Sequence, residues 1–259
     1  MKRFVSDGVE IAYLDQGDGE PVLLIHGFAS NAKVNWLNTS WMQTLTRNGF
    51  RAIAIDNRGH GESEKLYDEA AYRPELMAED AFRLLRHLGI PRAHVMGYSM
   101  GARIAVFLAL AHPGMVQSLV ISGMGGNLIA GVGAPGPIAA ALEAPSAEDV
   151  TNAAARSFRL FADQTGSDRR ALAACIRASR VRIAPEDLAR LHLPVLIAVG
   201  SEDVIAGPAD ALQPLIKGAQ VLNIMGRDHM KAVGDQSHKD GVIAFLESQR
   251  RSSARLNAH

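Results

Sequence analysis

Short apolar runs rich in β-branched residues alternate along this chain with longer stretches whose apolar positions recur at helical spacing. The short runs at residues 22–26, 52–56, 93–98, 119–122 and 195–199 predict strands of a mostly parallel sheet covered by helices. Residues 9–14 predict an earlier antiparallel edge strand, and residues 220–224 a late one. The longer pattern predicts helices over residues 36–47, 74–88, 99–111, 209–216 and 238–249.

The alternation breaks after Ser122. A glycine-rich passage, residues 123–136, leads into alanine-rich helical segments before Pro194 restarts the strand pattern. Ser146 followed by Asp149 reads as a capping box. Val150, Ala154, Phe158 and Phe161 then share one helical face, Thr165-Gly166 ends that helix, and residues 168–180 form another. The expected organisation is an α/β core from residues 1–126 and 191–259. Residues 127–190 form a helical insertion over the carboxyl ends of the strands.

Composition narrows the setting. At 259 residues the chain can bury one large core. Its 27 Lys and Arg balance 27 Asp and Glu, so electrostatics favour neither nucleic acid nor an anionic membrane. Arg250, Arg251 and Arg255 read as a solvated tail. Residues 1–13 contain no apolar core of a signal peptide, and no apolar stretch is long enough to span a bilayer. Cys175 is the single cysteine, which excludes an intrachain disulfide and a cysteine metal cluster and suits a reducing cytoplasm. No H-E-x-x-H and no P-loop lysine occurs, so neither a metal nor a nucleotide cofactor is expected. Gly131-Val132-Gly133-Ala134-Pro135-Gly136 matches G-x-G-x-x-G. It does not open a helix directly after a strand, and Pro135 spoils the run of amides that would cradle a phosphate, so it reads as a hinge.

The chemistry centres on Gly97-Tyr98-Ser99-Met100-Gly101, placed between a predicted strand and a predicted helix. A serine on so sharp a turn is lifted clear of the sheet, and only glycine fits two positions before and after it. A serine hydroxyl needs a base, and the base needs a carboxylate to orient it. Asp203 follows the 195–199 strand and His229 follows the last strand, in the order Ser–Asp–His described for such sheets. Glu202 and Asp228 are rival carboxylates, the first with a longer arm and the second beside His229 itself. His87, His94, His112, His192 and His238 read as solvent-facing or capping residues. The Met100 and Phe28 amides are the expected oxyanion donors, with Ala29 the alternative to Phe28.

Five segments in this order resemble the α/β-hydrolase superfamily: His26-Gly27-Phe28, Asp56 to Gly61 with Ser63, Gly97 to Gly101, Gly200 to Asp203, and Asp228-His229. The resemblance implies an eight-stranded sheet with a cap inserted after the sixth strand, a Ser99–His229–Asp203 triad and no cofactor. It also implies that Asp56 to Gly61 is chiefly a structural turn and that His26 braces the oxyanion loop. Relatives that open epoxides or displace halide use an aspartate where this chain has Ser99. Hydrolysis of a small-molecule carboxylic ester with a short to medium acyl chain is therefore expected. Carbon–carbon bond or enol-lactone hydrolysis and a non-turnover receptor are the alternatives. Leu128, Ile129, Phe158 and Phe161 read either as an apolar pocket wall or as residues packing the insertion on the core. Arg156, Arg159, Arg177 and Arg180 read as solvated, or one of them as a carboxylate ligand, as in lactone-opening relatives. The oligomeric state is open.

Overall fold

Alternating side chains divide the strands of this protein between two apolar layers, and that division builds the molecule. The computed structural model describes residues 1–256. Eight strands, β1 (Lys2–Ser6), β2 (Val9–Gln16), β3 (Glu20–Ile25), β4 (Phe50–Ile55), β5 (Ala93–Tyr98), β6 (Val116–Ser122), β7 (Val195–Gly200) and β8 (Gln220–Ile224), form one sheet. Their order is β1-β2-β4-β3-β5-β6-β7-β8, with β1, β2 and β4 paired antiparallel and every other pair parallel.

The helices are α1 (Trp41–Arg47), α2 (Pro74–His87), α3 (Met100–Ala111), α4 (Asn127–Ala130), α5 (Gly136–Glu143), α6 (Ala153–Gln164), α7 (Arg169–Ala178), α8 (Pro185–Leu188), α9 (His229–Ala232) and α10 (Gln236–Leu256). Leu23, Ile25, Val95, Leu119 and Ile121 face the layer of α2 and α3. Their neighbours Val22, Leu24, Met96 and Val120 pack with Trp36, Trp41, Val242 and Phe245 on the layer of α1 and α10. Period-two alternation thus appears inside runs that are apolar throughout, because both faces are covered.

Strand β3 lies between β4 and β5, so the chain leaves it in opposite directions across the sheet. Such a switch point opens a crevice at the carboxyl ends of the diverging strands. The segments after β3 and β5, beginning at His26 and Ser99, border that crevice.

Several elements depart from the sequence expectation. Strand β1 is the edge, and β2 lies inside it; Lys2 and Arg3 point outward while Phe4 and Ser6 are buried. Five residues with two charges carry too little pattern to announce a strand. Strand β8 is an edge strand but runs parallel to β7. The predicted 36–47 helix is two pieces: a π-turn at Lys33–Leu37, then α1 after Ser40 at φ 65°. The 209–216 helix is replaced by 3₁₀ turns at Ala209–Ala211 and Gln213–Leu215, with Pro214 denying the interior an amide donor. The Ser146/Asp149 capping box exists but closes only a 3₁₀ turn, and α6 starts later, capped by Asn152. Val150 consequently lies outside that helix.

Candidate active site

Ser99 sits between β5 and α3 at φ 57° and ψ −114°, a conformation that holds a non-glycine residue under strain of order 1–3 kcal/mol. Its surroundings over-determine it. A Cβ on Gly97 would stand 2.1 Å from the Gly101 carbonyl oxygen, and one on Gly101 would stand 2.0 Å from that of Ile25. The Ser99 amide donates to the Ser122 carbonyl at 2.8 Å, pinning the turn to β6.

His229 Nε2 lies 3.0 Å from Ser99 Oγ, and its Nδ1 lies 2.7 Å from Asp203 Oδ2. The second carboxylate oxygen of Asp203 accepts the Ile205 and Ala206 amides at 3.0 and 2.9 Å, which fixes the side chain from behind. Glu202 is exposed, and Asp228 turns away to cap α9 through the Met230 and Lys231 amides. Tyr98 donates its hydroxyl to the His229 carbonyl at 2.5 Å. Burial pushes that phenol's pKa well up, so it remains a donor.

The loop after β3 faces Ser99. Buried His26 accepts the Asn57 amide on Nε2 at 3.0 Å, so its Nδ1–H donates to the Gly27 carbonyl at 2.7 Å. Burial lowers its pKa to about 4, which keeps the ring neutral as a brace. Gly27 donates to Asn35 Oδ1, and Ala29 takes φ 58°. Among the described residues, the Phe28 and Met100 amides have no acceptor within the protein. Asp56 accepts the Ala32 and Glu62 amides at 2.7 Å each and ties this loop to the next. The His60 ring, driven by burial to a pKa of about 3, packs edge-on against Phe28.

The helices between β6 and β7 reach these loops. The Phe158 and Phe28 rings meet at 5.9 Å, and Thr165 donates to the Ala29 carbonyl at 3.0 Å. Cys175 Sγ touches Met100 Sδ at 3.9 Å. A cavity of about 350 Å³ opens beside them, bounded by Val132, Ile138, Phe158, Arg180, Val204 and Ile205. Of the four suggested wall residues, Phe158 borders this cavity; Leu128 is fully buried in the core, and Ile129 and Phe161 pack against it. The carbonyls of Val132, Gly133 and Ala134 turn toward the Arg180 guanidinium, so the glycine-rich loop presents acceptors there.

Some polar residues differ from expectation. His94 and His238 are fully buried, bonded to Ser118 and Ser122 respectively. Arg159 is buried as well, donating to the Ala141 and Ala144 carbonyls and pairing with Asp163. Tyr98, Asn35 and Thr165 support the site without any sequence signal beyond proximity to a motif. Arg103 is a lone charge in the otherwise apolar α3. Among the described residues, no three His, Cys, Asp or Glu side chains converge as metal ligands would, and no helix is long and apolar enough to cross a membrane.

Comparison with known proteins agrees with this architecture. A 2-hydroxy-6-oxononadienedioate/2-hydroxy-6-oxononatrienedioate hydrolase of Pseudomonas putida is 36% identical over 119 residues, 45% of this chain and 41% of that protein. Matched segments span between 20% and 43% of the length of curated relatives such as this one. An esterase from Exiguobacterium antarcticum superposes with a TM-score of 0.80 at 18% identity, over 95% of this chain and all of that one. A meta-cleavage product hydrolase from Pseudomonas fluorescens superposes at 0.75 with 24% identity, over 96% and 98% of the two chains. The model of the α/β hydrolase fold matches residues 20–154, more than half of the sequence, and the chain belongs to that family.

Proposed function

We propose that this protein hydrolyses small-molecule carboxylic esters through an acyl-enzyme on Ser99. The observation that carries the reading is the continuous contact from Ser99 Oγ through the His229 ring to Asp203, at 3.0 and 2.7 Å. His229 takes the proton of Ser99 as the hydroxyl attacks the acyl carbon, and then gives it to the departing alcohol. Asp203 holds the ring with Nδ1 protonated and offsets its charge while it carries both protons. The Phe28 and Met100 amides, unengaged among the described residues, donate to the oxyanion; a donor of this kind contributes about 2.7–4 kcal/mol to transition-state stabilisation. Water then repeats the sequence on the acyl group.

Residues 127–190 act as the cap. Their contacts with Phe28, Ala29 and Met100 support that role, since each touches a loop that carries an oxyanion donor or adjoins one. The short α4 begins this unit, and β7 resumes the core.

A second reading, hydrolysis of a carbon–carbon bond, draws on the likeness to the ring-fission hydrolase and uses the same three side chains. Fluorophosphonate labelling with a p-nitrophenyl ester chain-length series tests the first reading. Wild type should be labelled once per chain at Ser99, and Ser99→Ala should lose label and about a millionfold in turnover with its fold intact. Labelling of Ser99→Ala to the same extent would overturn the assignment. Turnover of a 2-hydroxy-6-oxodienoate with none of any ester, thioester or lactone would favour the second reading. Binding without turnover of either class would make the protein a receptor.

A further inference from the structure

Arg103 stands one helical turn beyond Ser99, about 6 Å along α3, and is only 2% exposed. Met100 and Arg103 share the face of α3 that meets the end of α7: Met100 touches Cys175, and Arg103 Nη1 reaches the Ser179 carbonyl at a marginal 3.5 Å. The Nε and Nη2 donors of Arg103 are buried without any acceptor among the described residues. The charged group felt there is the Arg180 guanidinium, which repels it, and burial with that repulsion brings the pKa of Arg103 to about 10.

The same molecule shows what this edge of a guanidinium is built to hold. Arg58, also buried, places Nε 2.7 Å and Nη2 2.8 Å from the two oxygens of Asp80. That side-on fork matches the spacing of one carboxylate. Arg103 presents the same two donors with no carboxylate side chain among the described residues to meet them. Leaving such donors without an acceptor is destabilising, and an acceptor from outside the chain would answer them.

We propose that Arg103 binds a carboxylate of the substrate, with Arg180 at the cavity wall adding to the positive field, so that the preferred substrates are acyl compounds bearing a free carboxylate a few bonds from the scissile carbonyl. The carboxylate docks under the end of α7, and the acyl carbon reaches Ser99 one turn away. The position of the scissile bond rests on the hydrolase reading; the anion site itself does not.

Two measurements test it separately. The first compares mono-p-nitrophenyl glutarate with p-nitrophenyl pentanoate, its closely matched neutral counterpart. Wild type should favour the glutarate ester by about 10- to 100-fold in kcat/KM, mostly through KM, as expected for a hydrogen-bonded charge. Arg103→Gln should bring the ratio near one, and Arg103→Lys, which keeps the charge without the fork, should fall between. The second measures glutarate binding to Ser99→Ala by calorimetry, which needs no turnover. Binding weakened at least tenfold by Arg103→Gln in that background supports the site even if the ester chemistry fails. A wild-type ratio near one, or glutarate binding no tighter than that of inorganic phosphate, would overturn it. So would equal losses on both esters. The wild-type arms stand even if Arg103→Gln does not fold.

Discussion

Arg58 and Arg103 are both buried arginines, yet they occupy opposite kinds of place. Arg58 joins the turn after β4 to α2: Asp80 closes its side-on edge, the Ala71 carbonyl takes Nη1 at 2.9 Å, and Ser6 donates to Asp80 at 2.5 Å. Every strong donor there has a partner inside the chain. Arg103 faces the seam between α3 and α7, where it meets one distant carbonyl and another cation. The first arrangement is complete in the folded chain, whereas the second is complete only with something added. A buried charge that the fold has compensated belongs to the scaffold; one left uncompensated beside a strained serine belongs to the site.

That contrast predicts mutations that separate activity from stability. The largest effect is expected in the site around Ser99, in turnover. Asp203→Asn should lower kcat by about ten thousandfold by favouring the wrong tautomer of His229, while Glu202→Gln and Asp228→Asn change it far less. Ester kinetics of the three variants decide the matter, and a greater loss in Glu202→Gln would remove Asp203 from its role. On the scaffold side the loss should appear in stability. Asp80→Ala leaves the Arg58 guanidinium buried without its carboxylate and should cost about 3–5 kcal/mol in urea unfolding; a loss below about 1 kcal/mol would erase the distinction between the two arginines. The smallest effect has the opposite sign. Arg103→Met removes an uncompensated charge and should leave stability unchanged or raise it by about 0.5–2 kcal/mol. A clear fall in melting temperature would make Arg103 a structural residue like Arg58.

The same contrast explains how far the sequence could be read. Ser99 and Asp203 were legible because each stands just past a buried strand with a clear apolar run, His229 because it follows the last strand, and the elbow glycines mark a turn that few other sequences permit. Strand β1 and the two 3₁₀ turns around Pro214 were not, since short charged or proline-bearing segments take their form from what they pack against. His94, His238 and Arg159 looked like solvent-facing residues because a polar side chain in a helix or at a strand end carries no local sign of burial. Their partners, Ser118, Ser122 and the Ala141 and Ala144 carbonyls, come from 15 to 116 residues away.

Local patterns in the chain therefore specify the alternation of strands and helices, the two glycines that let Ser99 turn, and the order of the three polar residues after strand ends. These depend on backbone geometry and on periodicities of two and 3.6, which a short window of chain already contains. Packing in three dimensions selects the rest: which carboxylate meets His229, which amides lie free near Ser99, and which arginine has its charge answered. Those are outcomes of distance between segments far apart in the chain. Arg58 and Arg103 are the same residue type in the sequence, and they differ because Asp80 lies beside the first while the charged neighbour of the second is another arginine.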